Sequence, residues 1–248
     1  MILDLFEFAE KEFLDPGLSC KDKKYQELLH YLVDQFSNLK FHTAIDSIDI
    51  SPLELDNAAS NHCDKWLETT GQHMVLYTGS PSKPSIVVPQ APIFSEYPVA
   101  RYRTYSGDVS GVIGEALFSL LLTKKYLLPD NSFAHFGANQ VTGFFPDFGI
   151  YQVTEQLQAA FDRSMNKSNP SAININQTYI IPAEVKSMAN PSASIIYERL
   201  DKAILQIKNF WAPRKHKSKN CNRGISIIFL ALRNQTNHRY DGIFLWMI

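Results

Sequence analysis

"IPAEVKS", residues 181–187, is the stretch on which the fold of this chain turns. The residues leading into it, Thr178-Tyr179-Ile180, are β-branched or aromatic, so the chain enters as a strand. Side chains of a strand alternate between faces, which puts Glu184 and Lys186 on one side and Ala183 and Val185 on the other. An acid and a base therefore share one face of a strand whose surroundings mark it as interior. Apolar residues would be less costly there. The spacing alone is a weak signal, since Asp22-Lys23-Lys24 repeats it in a helical segment, and a structural ion pair would also produce it.

Working outward, "SIIYERLDKAILQIKNFW" (194–211) reads as a helix, and "GISIIFLAL" (224–232) and "GIFLWMI" (242–248) as strands. On the upstream side, "SGVIGEALFSLLLTKKYLL" (110–128) is a helix apolar nearly all round, hence buried. A strand follows within 133–145, another at "DFGIYQV" (147–153), then a short helix near "TEQLQAAFDRSM" (154–165) and a polar loop. Helix, strands, helix, strand implies an α/β chain with a mixed sheet and helices packed against it. Residues 1 to about 70 read mostly as helix. Tyr25, Leu28, Leu29, Leu32 and Phe36 recur at helical spacing, and Ser51 caps a second helix with Pro52 in its first position. Short strands broken by turns are expected from 73 to 105. This organisation suggests an N-terminal extension over 1–105, for recognition, dimerisation or partner docking, and a core over 106–248.

Hydrophobic residues make up 45% and charged residues 20% of the 248, as in ordinary globular proteins. No apolar run is long enough to span a bilayer, and the N-terminus mixes acids into its apolar residues without a basic start, so a cytoplasmic protein is expected. Cys20, Cys63 and Cys221 are too scattered for a disulfide framework or a zinc site and read as free thiols. The net charge of −1 conceals an asymmetry. Residues 1–70 carry fourteen acids and six lysines, whereas 199–239 carry ten basic residues against Asp201. Arg214, Lys215, Lys217, Lys219 and Arg223 cluster in one loop that suits a polyanion such as nucleic acid, or is simply solvated. His135 reads as a core histidine. Phe210, Trp211 and Trp246 read as core aromatics, with Trp211 also placed to stack on a base.

Three acids stand where an acid is costly: Glu115 in the buried helix, Asp147 opening an apolar strand, and Glu184. Carboxylates gathered about a hard divalent cation become favourable, because the ion wants oxygen ligands and supplies the compensating charge. "FPDFG" followed by "PAEVKS" resembles the signature of the PD-(D/E)XK nuclease superfamily, with Pro146-Asp147 as its first element and Glu184-Val185-Lys186 as its second. The resemblance covers roughly 108–232. It implies a restriction-endonuclease-like αβββαβ core behind a mainly helical N-terminal extension, and a Mg²⁺-dependent nuclease with Mn²⁺ as a substitute. By it, Asp147, Glu184 and the Val185 carbonyl would bind metal, Glu115 would reach the ion directly or through water, Lys186 would orient or activate the water, and Gln206 would steady the site. DNA is favoured over RNA, in restriction, phage defence or repair; a homodimer or a protein partner would use the N-terminal part. Asp147 and Glu184 lie 37 positions apart, so the polar segment at about 162–177 is expected to be an insertion. The alternative is a nuclease fold that binds nucleic acid or protein without chemistry.

Overall fold

The computed structural model describes residues 1–15, 17–62, 76–78, 85–87, 108–135, 146–165, 175, 180–189, 191–211, 224–234 and 239–248. Its centre is a seven-stranded mixed sheet. In chain order the strands are β1 (Ile2–Glu10), β2 (Asp46–Asp49), β5 (Phe133–His135), β6 (Phe148–Ile150), β7 (Ile181–Met188), β8 (Ser226–Asn234) and β9 (Arg239–Met247), and in space they run β2-β1-β9-β8-β7-β6-β5. A separate antiparallel pair, β3 (Leu76–Thr78) and β4 (Ser85–Val87), falls in the expected strand region. The helices are α1 (Lys23–Ser37), α2 (Pro52–His62), α3 (Asp108–Lys124), α4 (Glu155–Met165) and α5 (Ala193–Trp211).

Alternation within the strands sorts the core into two layers. Leu3 and Leu5 of β1, Ala183 and Val185 of β7, and Phe229 of β8 pack with α2, α3 and α4. Phe6, Met188, Ile228, Leu230 and Ile243 pack with α1 and α5 on the other face. α3 is buried along nearly its whole length, as its all-round apolar sequence requires. None of the described helices is long and apolar enough to cross a membrane.

The C-terminal half follows the sequence expectation closely. β5, β6 and β7 form an antiparallel meander, and α5 then carries the chain to β8, parallel to β7. The long excursion between Asp147 and Glu184 does not prevent pairing: Phe148 stands opposite Ala183 and Ile150 opposite Ile181. Part of that excursion is α4, packed through Leu157, Ala160 and Phe161.

The expectation of a mainly helical N-terminal part needs correction at its start. Residues 2–10 form β1, parallel to β9 along its whole length, and β2 adds the edge strand beyond it. The physical reason is that this run satisfies two periods at once. Its acids are tolerated because Asp4 pairs with Arg239, at 2.6 Å, and Glu7 accepts hydrogen bonds from the Tyr126 hydroxyl and Arg163, at 2.8 and 3.1 Å. α1 and α2 are helices as expected, Ser51 Oγ accepts the Glu54 N–H, and Glu54 Oε2 reciprocates on the Ser51 N–H.

Candidate metal centre

Glu184 lies at the middle of β7 and has no exposed surface. Among the described residues it is the only charged side chain so fully enclosed. Its two oxygens are both engaged: Oε2 accepts the Asp147 N–H at 3.2 Å, and Oε1 pairs with the Lys186 ammonium. Asp147 reciprocates across the strand gap, its Oδ2 accepting the Val185 N–H at 2.9 Å. These cross-bonds fasten the start of β6 to the centre of β7 and bring together two acids that are 37 positions apart. Lys186 projects two residues further along the same face, with 17% of its side chain exposed.

From the α3 side comes Glu115. Its neighbour Gly114 explains the reach: a Cβ there would stand 2.7 Å from the Ser187 Cβ and 3.2 Å from Val185 Cγ1, so only a glycine lets α3 lie this close to β7. Gly114→Ala is expected to lift α3, cost about 1–3 kcal/mol in chemical unfolding, and weaken divalent-metal binding by drawing Glu115 away. Full stability with unchanged metal affinity would show that the close approach is not needed.

Glu115 Oε2 is buried, makes no hydrogen bond among the described residues, and lies 3.6 Å from His135 Nε2. His135, at the end of β5, sits opposite Phe148 and places its ring edge-on to that phenyl at a 5.0 Å centroid distance. Glu115, His135 and Asp147 each present one donor atom within 4.8 Å of the other two. Three donors about 2.0–2.3 Å from one ion stand roughly 3–4 Å from one another, so a cluster with all its donor atoms within 4.8 Å could close on a divalent cation with small side-chain shifts.

The electrostatics agree. Among the described residues, Asp147 stands between the Glu115 carboxyl on one side and the Glu184–Lys186 pair on the other, and a dication held there would favour the ionised carboxylates. Burial pushes the Asp147 carboxyl above its ordinary range, and Glu115 adds to it while Lys186 opposes. Glu184 is pushed well above its range by burial and then by Asp147. Burial alone would lower Lys186, but the Glu184 and Asp147 carboxylates outweigh it and hold the amine above its usual value.

In chelator, the folded protein then binds more protons than the unfolded chain between the ordinary carboxylate value and the raised ones. Stability falls as pH rises through that interval. Thermal unfolding in EDTA is expected to show Tm decreasing from about pH 5 to about pH 8, with a shallower slope in Glu184→Gln. Identical slopes would mean that Glu184 does not carry a raised pKa.

The structure thus brings Glu115, Asp147, Glu184, Val185 and Lys186 together, but not quite as the resemblance implies. The donor triangle holds Glu115, His135 and Asp147, while Glu184 is occupied by Lys186 and the Asp147 backbone. Val185 enters through its N–H. Gln206 is half-buried on α5, the helix on the sheet face that Lys186 shares with Met188. His135, read from sequence as a core residue, is the participant that reasoning missed. Arg214, Lys215, Lys217, Lys219 and Arg223 lie outside the described residues, as do Cys63 and Cys221; Cys20 is a free thiol. Trp211 is half-buried: its indole N–H donates to Ser226 Oγ at 2.7 Å, and its ring packs so closely on Gly224 that a Cβ there would stand 2.6 Å from it. Phe210 and Trp246 are core residues as expected.

Fold and site together define a mixed α/β protein, helices on both faces of a seven-stranded sheet, with a Glu–His–Asp cluster able to hold a metal ion. No family model matches the chain, and no curated protein or solved structure matches it.

Proposed function

We propose that this chain is a divalent-metal-dependent nuclease of the PD-(D/E)XK, restriction-endonuclease-like type, hydrolysing phosphodiester bonds, with DNA favoured as the substrate and Mg²⁺ or Mn²⁺ as the ion. The observation that carries this reading is the mutual fastening of Asp147 and Glu184 across β6 and β7, with Lys186 alongside. The order α3, three antiparallel strands, α5, parallel β8 supports it, being the order an αβββαβ core requires.

The donor set fits a cation, since among the described residues a buried Glu115 oxygen makes no hydrogen bond and lies in one cluster with donor atoms of His135 and Asp147. When bound, a divalent ion supplies an acidified water and neutralises charge building on the phosphate. The chain's own residues do the rest. Glu115, Asp147 and His135 fix where the ion sits. Glu184 holds the Lys186 ammonium beside Asp147 and so fixes where a positive charge meets the substrate. Lys186 would orient the water or a phosphate oxygen by donating hydrogen bonds, and stabilise negative charge in the transition state. The basic residues at 214–223 would bind backbone phosphates.

The test is incubation of the protein with supercoiled, linear and single-stranded DNA and with RNA, in Mg²⁺, in Mn²⁺ and in EDTA. Cutting in a divalent ion that stops in EDTA supports the reading. Metal-dependent binding of nucleic acid with no cutting would replace it by the inactive nuclease-fold module.

A further inference from the structure

We infer that His135 is a metal ligand and that its imidazole makes this centre select Mn²⁺ over Mg²⁺; the inference rests on the metal-centred reading above and says which of its two ions the site prefers. The ring shares a cluster with two carboxylates that arrive from different elements, Glu115 from α3 and Asp147 from the start of β6. Its Nε2 is 3.6 Å from Glu115 Oε2, within ion-pair range but longer than a hydrogen bond. A histidine kept only to satisfy Glu115 would close to about 2.8 Å and leave no buried oxygen without a hydrogen bond. Instead that oxygen makes no hydrogen bond among the described residues, and all three donor atoms stay within 4.8 Å.

His135 is also held rigidly. β5 pairs with β6 in a register that sets His135 against Phe148, and the phenyl meets the imidazole edge-on at 72°. Both Glu115 and His135 keep 16% of their side chains exposed, so the cluster is enclosed yet reachable. Three protein donors leave positions open for water and substrate, as a catalytic metal requires.

Donor chemistry then chooses the ion. Mg²⁺ takes oxygen ligands almost exclusively and demands near-ideal octahedral geometry. An imidazole nitrogen is a poor partner for it but an acceptable one for first-row transition dications. An all-carboxylate site would favour neither ion strongly; replacing one oxygen by nitrogen tips the balance towards Mn²⁺.

The test measures binding of Mn²⁺ and Mg²⁺ to the full chain, without nucleic acid, by calorimetry, and records pulsed electron paramagnetic resonance of the Mn²⁺ complex. The wild-type chain is expected to bind Mn²⁺ at least about tenfold more tightly than Mg²⁺, with a nitrogen coupling from the imidazole. His135→Gln and His135→Ala are expected to weaken Mn²⁺ by about tenfold or more, change Mg²⁺ by less than about threefold, and abolish the nitrogen signal. Equal affinities in the wild type, no nitrogen coupling, or unchanged Mn²⁺ binding in a folded variant would each overturn the inference. The spectrum of the wild type decides even if both variants fail to fold. Mn²⁺ held through His135 without cleavage of any nucleic acid would leave the inference standing and remove the nuclease reading. Cleavage in Mg²⁺ with no nitrogen coupling would do the reverse.

Discussion

Asp147→Asn is expected to reduce phosphodiester cleavage by about a thousandfold or more while leaving the protein folded. The substitution keeps the shape of the side chain, and an asparagine oxygen can still accept the Val185 N–H that Asp147 Oδ2 accepts at 2.9 Å. What it removes is a carboxylate ligand from the Glu115, His135 and Asp147 cluster. A metal ion contributes several kcal/mol to the transition state of a phosphoryl transfer, and each 1.36 kcal/mol is about a factor of ten in rate. Stability should move the other way. Asp147 is one of the causes that push the Glu184 carboxyl upward, so its loss relieves a buried like-charge contact. In EDTA at about pH 8 the variant is expected to melt at or above the wild-type temperature. Plasmid cleavage alongside thermal unfolding checks both halves. Near wild-type cutting would move the chemistry elsewhere, and a large drop in Tm would assign Asp147 to the scaffold instead.

The parts of this molecule that can be read from its sequence are those in which one period dominates over a long run. β8 and β9 are nine residues each, rich in β-branched, aromatic and other apolar side chains, the run Thr178-Tyr179-Ile180-Ile181 announces β7, and α3 is apolar on every side, so each admits one reading. β1 does not. Ile2, Leu3, Phe6 and Ala9 suit a helix, while Leu3 and Leu5 against Phe6 and Phe8 suit a strand buried on both faces. The choice rests on Arg239, 235 positions from Asp4, and on Arg163 and Tyr126, which partner Glu7 from 156 and 119 positions away. No local pattern contains that information. The site divides in the same way. Asp147 and Glu184 are conspicuous because a buried strand has little other use for a carboxylate. His135 gives no such sign, since histidine sits comfortably in a core, and its part depends on the register of a three-residue strand against Phe148. The useful signal is its position: an ionisable residue two places after Phe133, on a short strand just before the "FPDFG" motif.

Lys186→Met should cost about 3–5 kcal/mol of stability in EDTA at neutral pH and abolish cleavage, whereas Lys186→Met combined with Glu184→Gln should recover most of the stability and none of the cleavage. Removing the lysine alone takes away the ammonium that opposes burial and Asp147 at Glu184, so this carboxyl, which has no exposed surface, is either buried without its partner or driven to take up a proton. The penalty is that of an unpaired buried charge, not the worth of the pair itself. The double replacement is neutral and nearly isosteric. In it the amide oxygen that replaces the Glu184 carboxylate can still accept the Asp147 N–H, so the strand junction survives. Divalent metal should raise the melting temperature of the wild type and of Lys186→Met, because a cation held at Asp147 offsets the same negative charge that the ammonium offsets. The two sets of measurements separate a structural ion pair from a catalytic one. A structural pair would leave the stable double variant able to cut nucleic acid. A catalytic pair leaves it folded and inert, because positive charge at residue 186 is needed at the phosphate and no longer at Glu184.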